Sequence, residues 1–114
     1  MIFNYDGKLE ENVARGGTFD ITGTGAVIDK QFFGFTPSSG AVLAVIKGVP
    51  VKSSLSTLTA IRAAEVDLAA FFLTALTDPL TEDLYRVDGY IITNVQFTSG
   101  TGHFFKTLNQ VTAE

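Results

Sequence analysis

His103 is the one histidine in a chain of 114 residues that carries no cysteine. A nucleophilic relay would need that imidazole as the base that strips a proton from a hydroxyl. It stands between Gly102 and Phe104, directly behind a Ser99-Gly100-Thr101 turn, and no Gly-x-Ser-x-Gly elbow occurs anywhere in the chain. Such a residue reads as a strand-end histidine that faces solvent or a neighbouring chain. Paired carboxylates are the next candidates for acid–base work. Glu65 and Asp67 are two apart on a predicted helix, so they diverge and cannot share one substrate. Asp78, Glu82 and Asp83 form an acidic loop without the ligand spacing of an EF-hand, and read as solvated. The absence of cysteine excludes iron–sulfur clusters and Cys/His zinc sites. Gly23-Thr24-Gly25 lacks the later glycine of a dinucleotide cradle, and no Gly-Lys-Ser/Thr follows any glycine. The expectation is a protein with no catalytic residues, no cofactor and no metal.

Charge narrows the partners. Twelve Asp+Glu against eight Lys+Arg give a net charge of −4, too acidic for a protein that grips phosphates. Lys30-Gln31-Phe32-Phe33 is the nearest approach to a basic and aromatic nucleic-acid patch, and it holds a single charge. Apolar runs such as Ala41–Ile46 fall far short of the roughly 20 residues of a membrane span. Neither nucleic acid nor membrane is therefore expected as a partner. The opening residues MIFNYDGKLEENVARGG have no basic flank and no long apolar stretch, so no secretory signal is read there.

The elements that must position these residues are mostly strands. Residues 1–17 read as an N-terminal arm, residues 18–107 as one β-rich domain, and residues 108–114 as a polar tail. Phe19 and Ile21 alternate with Asp20 and Thr22, which predicts a half-buried strand. Ala26–Phe35 is rich in β-branched and aromatic residues, and Pro37-Ser38-Ser39-Gly40 is a turn. Ala41–Lys47 is apolar on both faces and belongs in the middle of the structure. Leu58, Ile61, Ala64, Leu68, Phe72 and Ala75 recur at helical spacing and predict one helix over Thr57–Thr77, capped by Ser56 and stopped at Asp78-Pro79. Leu84–Val87 reads as a short strand before an Asp88-Gly89 turn. Tyr90–Thr98 alternates, with Ile91, Thr93, Val95 and Phe97 on one face, and His103–Lys106 returns as the last strand. The fold class expected is α+β and β-dominated: an antiparallel sandwich or barrel-like sheet of about six strands with one helix.

Aromatic residues are the chain's most distinctive material. Ten Phe and three Tyr can each bury roughly 150–250 Å². Phe32, Phe33 and Phe35 crowd one strand, Phe104 and Phe105 another, and adjacent strand residues must point to opposite faces. With 46% hydrophobic residues and a mean hydropathy of +0.27, the pattern suggests burial of both faces in an assembly. Phe32, Phe33, Phe35, Phe104 and Phe105 are the interface candidates.

The segment from Gly89 to Lys106, GYIITNVQFTSGTGHFFK, resembles the closing hairpin of small β-domains of tailed-phage head proteins (decoration proteins and head-fibre bases). Gly17-Thr18-Phe19-Asp20-Ile21-Thr22-Gly23 is similar to their lead strand, and the Ala-rich Thr57–Thr77 segment departs from the pattern. The resemblance implies a virion structural protein, assembled in the host cytoplasm, that binds identical subunits as a trimer or larger ring and other virion proteins. It carries no catalytic residues over. The rival reading is a monomeric module that holds a small ligand between helix and sheet, with Tyr85, Tyr90 and Arg62 as its polar groups.

Overall fold

The computed structural model describes residues 17–51, 55–71, 73–107 and 110–114. The expected N-terminal arm lies outside them except for Gly17. Among the described residues eight elements follow one another: β1 (Thr18–Ile21), β2 (Val27–Pro37), β3 (Val42–Pro50), α1 (Leu58–Ala64), β4 (Val66–Asp67), a 3-10 turn (Ala69–Phe71), β5 (Tyr90–Ser99) and β6 (Gly102–Lys106). The strands form one antiparallel six-stranded sheet in the order β1-β6-β2-β5-β3-β4. The β-dominated α+β expectation is met.

The register explains the shape. Phe32 to Pro37 of β2 pair with Lys106 to Gly102 of β6, and Val42 to Pro50 of β3 pair with Ser99 to Tyr90 of β5. Between these ladders the two turns hold each other: Ser38 N–H donates to Thr101 O (2.9 Å) and Thr101 N–H to Ser38 Oγ (3.0 Å). Residues 32–50 and 90–106 are thus the two sides of one long antiparallel ribbon, creased at its turns. The expected C-terminal hairpin is corrected accordingly. β5 and β6 are consecutive halves of one side of the ribbon, and β2 lies between them in the sheet.

A ribbon creased this way curls back on itself. The first half of β2 pairs with β5 through Val27↔Val95 and Ile28↔Asn94, while its second half pairs with β6. Between Ile28 and Phe32 the register shifts at a bulge where Asp29 adopts φ 65°, a left-handed conformation that Asp tolerates better than most residues, and Phe32 then pairs with both Ile92 of β5 and Lys106 of β6. Bulges also reset which side chains share a face. In β5 one extra residue is Thr93, so Ile92, Val95 and Phe97 face one side together and Ile91 the other. The simple alternation expected for Tyr90–Thr98 does not survive that insertion.

Both faces are covered by the chain itself. On one side Phe32, Phe35, Leu43, Ile46, Ile92, Val95, Phe97 and Phe104 pack with Leu68, Ala69, Leu80 and Val87 from the segment between α1 and β5. On the other, Phe33, Val49 and Ile91 pack with Leu58 and Ile61 of α1 and with Val111. Residues 108–114 are therefore no loose tail where described, since Val111 is 4% exposed.

The helix expected over Thr57–Thr77 stops at Ala64. Thr57, not Ser56, is its cap, taking the Ala60 N–H on its side-chain oxygen (3.1 Å). Glu65 turns to extended backbone (φ −60°, ψ 137°), and Val66–Asp67 pair with Gly48 and Lys47 of β3. Leu68 N–H then donates to Ile46 O (3.0 Å), burying Leu68 completely. Pairing with the sheet thus outweighs the helix propensity of the alanines. Leu84–Val87 contributes one bridge, Tyr85↔Phe35, rather than a strand.

Candidate functional site

An open groove of about 360 Å³ lies at the creased end of the ribbon, lined by Asp20, Thr22, Thr36, Ser38, Glu82 and His103, with backbone around Pro37, Thr101 and Gly102. The sheet register builds it. Asp20 of β1 and Thr36 of β2 both pair with His103 of β6, so the three side chains project from the same side of the sheet. Phe105 stands two residues further along β6 on that side, and the His103 ring meets it edge-on at 5.3 Å. His103 Nδ1 is hydrogen-bonded to the Asp20 carboxylate. The side chains of His103 and Asp20 are 48% and 65% exposed, so water screens the pair.

An imidazole held by a carboxylate is half of a proton relay, which also requires a hydroxyl within reach of the other ring nitrogen. Ser38 Oγ accepts the Thr101 N–H and so ties the two turns together. This groove offers hydroxyls, two carboxylates and an imidazole to water or to a polar partner.

The other carboxylates singled out by spacing have structural tasks. Glu65 accepts from Thr93 Oγ1 (2.6 Å), pinning the bulge of β5 to the end of α1. Asp67 accepts the Ala69 N–H (3.0 Å) and starts the 3-10 turn, Asp78 accepts the Ala75 N–H (3.0 Å), and Asp83 takes the Thr81 hydroxyl (2.6 Å). Among the described residues no three His, Asp or Glu converge to hold a metal ion. Lys30 lies 5.1 Å from the centre of the Phe19 ring, a cation–π contact at β1.

Four of the five interface candidates lie in the interior. Phe32, Phe35 and Phe104 are 0% exposed and Phe33 is 2% exposed, while Phe105 is partly buried. Phe104 is the hub of the interior: its ring lies 4.6 Å from Phe35, 4.9 Å from Phe32 and 6.1 Å from Phe97. Phe33 stacks on Phe105 at 6.0 Å on the opposite side of the sheet. Neighbouring phenylalanines do diverge to two faces, but this chain's own segments cover both. The four buried rings are not presented to a partner.

Among the described residues the large apolar side chains left open are Phe71 (57% exposed), Ile28 (50%), Val66 (43%) and Leu84 (40%). Phe71 leans on Tyr90 with ring centres 5.2 Å apart. Phe72, its expected neighbour on a helix, lies outside the described residues.

Tyr85, Tyr90 and Arg62 do not converge. Tyr85 stacks on Phe35, Tyr90 meets Phe71 at a tilt, and Arg62 reaches Asp29 through two hydrogen bonds (2.9 and 2.6 Å) and Glu114 through a third (3.3 Å). The space between α1 and the sheet is filled by Phe33, Ile61 and Val111. Arg62 holds the Asp29 carboxyl below the usual carboxylate range, chiefly by hydrogen bonding, and is itself raised by that bond. Spacing alone did not mark Asp29, Gln31, Arg62 or Gln110 as a group. A glutamine buried completely beside Phe32 and Phe33 in β2 requires a polar partner to come to it.

Among the described residues no helix is long and apolar enough to cross a membrane. No family model matches this chain, and neither a curated protein nor a solved structure does.

Proposed function

We propose that this chain is a non-enzymatic structural subunit of a tailed-phage particle (a capsid decoration, auxiliary capsid or tail-associated protein). It acts by burying apolar surface against identical copies, a trimer by preference, and against other virion proteins. The resemblance of Gly89–Lys106 and Gly17–Gly23 to head-protein β-domains suggests the setting. The observation that carries the assembly reading is Phe71, more than half exposed in a chain whose sheet is otherwise packed on both faces. Phenylalanine is a common anchor of protein contacts, and an anchor works when it is presented rather than buried.

The contact surface proposed is therefore Phe71 with Val66 and Tyr90, beside the short strand β4, in place of the buried rings. A two-residue edge strand leaves little ladder for indiscriminate strand pairing, so side chains rather than backbone set the contact. The test is the composition of purified particles from cells that produce the chain. The reading expects the protein in those particles at a fixed ratio to the main shell protein. Its absence from them, with the protein recovered free in the lysate, would overturn it.

A further inference from the structure

The groove at the creased end of the ribbon is rich in acceptors and short of donors. Its side chains include two carboxylates (Asp20 and Glu82), the imidazole of His103 and the hydroxyls of Thr22, Thr36 and Ser38. Among the described residues no lysine, arginine, asparagine, glutamine or tryptophan lines it. A carboxylate only accepts, so His103 Nδ1–H donates to Asp20, and the neutral ring offers Nε2 as a further acceptor. The turn amides are engaged as well, Ser38 N–H on Thr101 O (2.9 Å) and Thr101 N–H on Ser38 Oγ (3.0 Å). Of the side-chain donors only hydroxyl protons remain, and hydroxyls accept as readily as they donate. The side chains of Glu82, Thr22 and Thr36 have no hydrogen-bond or ionic partner among the described residues.

That inventory selects a ligand by charge and by bonding. An anion would meet two carboxylates with no lysine or arginine to offset them. A sugar brings lone pairs with every hydroxyl proton, and those acceptors would find few donors here. A guanidinium carries five donors, no acceptor and a positive charge. Its planar fork can address acceptors that stand apart, as these do: Asp20 on β1, Thr36 on β2, His103 on β6 and Glu82 between the 3-10 turn and β5. An ammonium is a point charge and reaches fewer of them. The chain's net charge of −4 favours a basic partner at longer range.

We propose that this groove docks an arginine side chain presented by a partner polypeptide. Glu82 and Asp20 take its charge, and the hydroxyls of Thr22 and Thr36 accept from the N–H groups that the carboxylates leave over. Phe71 leans on Tyr90 at the far end of β5 from the crease, so the proposal stands independently of the contact surface assigned there.

The isotope-labelled full chain is titrated at low ionic strength with the blocked tripeptide acetyl-Gly-Arg-Gly-amide, and its amide chemical shifts are followed. Parallel titrations use the citrulline tripeptide, which keeps the shape and loses the charge, and the lysine tripeptide, which keeps the charge and loses the fork. The arginine peptide should give saturating shifts at Thr22, Thr36, Thr101 and His103, and bind several-fold more tightly than either substitute. Glu82→Gln should weaken that binding several-fold at an unchanged thermal midpoint, because this carboxylate has no structural partner among the described residues. Asp88→Asn removes the same charge just beyond the far end of β5 and should leave binding unaltered. Shifts absent from the groove, equal binding of the citrulline or lysine peptide, or equal weakening by the two substitutions would each overturn the proposal. Light scattering reads assembly separately, so failure here leaves that reading standing.

Discussion

Phe104 and Asp29 show how residues of obvious type can have roles their type does not announce. Phe104 touches three other rings in the interior, so Phe104→Ala removes a well-packed side chain and leaves a cavity. The expected cost is about 3–5 kcal/mol, read as a lower midpoint in urea with little change in slope. A variant as stable as the parent would show that the ring is not core. Asp29 makes the second case. Its folded carboxyl is held below the ordinary value near 3.8 by Arg62, so the unfolded chain binds its proton more readily. Stability from this contact is present above that value and is lost as pH falls through the lower, folded one. Asp29→Asn keeps a residue that tolerates the positive φ while deleting the charge. Acid unfolding monitored by circular dichroism should then be less steep below about pH 4 in the variant. The sequence made the aromatic pairs legible, and their divergence to two faces holds for Phe32 and Phe33 and for Phe104 and Phe105. What covers each face was not legible, because Leu80 and Val111 arrive from distant segments without a local pattern.

At the scale of elements, the strands were readable and the helix was half readable. The strand positions emerged because β-branched and aromatic residues dominate them and Gly or Ser turns bound them. Their pairing did not, since Ser99-Gly100-Thr101 has the residues of a hairpin turn yet serves as one side of a double crease. Helical spacing from Leu58 to Ala75 is satisfied equally by a short helix followed by residues that plug the sheet's interior, as Leu68 and Ala69 do. A helix of seven residues has little stability alone and depends on its cap and its apolar face. Thr57→Ala should therefore cost about 1 kcal/mol, visible as a lower thermal midpoint, while Ser56→Ala should change it little. Equal effects of the two substitutions would contradict the cap assignment. Residues 110–114 repeat the theme: a polar stretch looks like a tail, yet the buried amide of Gln31 and the apolar cluster around Val111 bring it back to the sheet.

For the molecule as a whole, one curled sheet covered on both faces accounts for the high apolar content that composition alone assigns to partners. Four of the five rings expected at an interface are consumed by the interior, and what the described residues leave for partners is a small patch around Phe71 and the polar groove beside His103. Net charge of −4 on a 12.2 kDa chain keeps such a patch from causing indiscriminate association, so any oligomer should have a defined size. The most direct measurement is the mass of the purified full chain in solution, by light scattering on a sizing column over a range of concentrations. The account predicts a closed multiple of 12.2 kDa, three copies or more, that Phe71→Ala shifts toward the single chain without unfolding it. A mass of one chain at every concentration would contradict it.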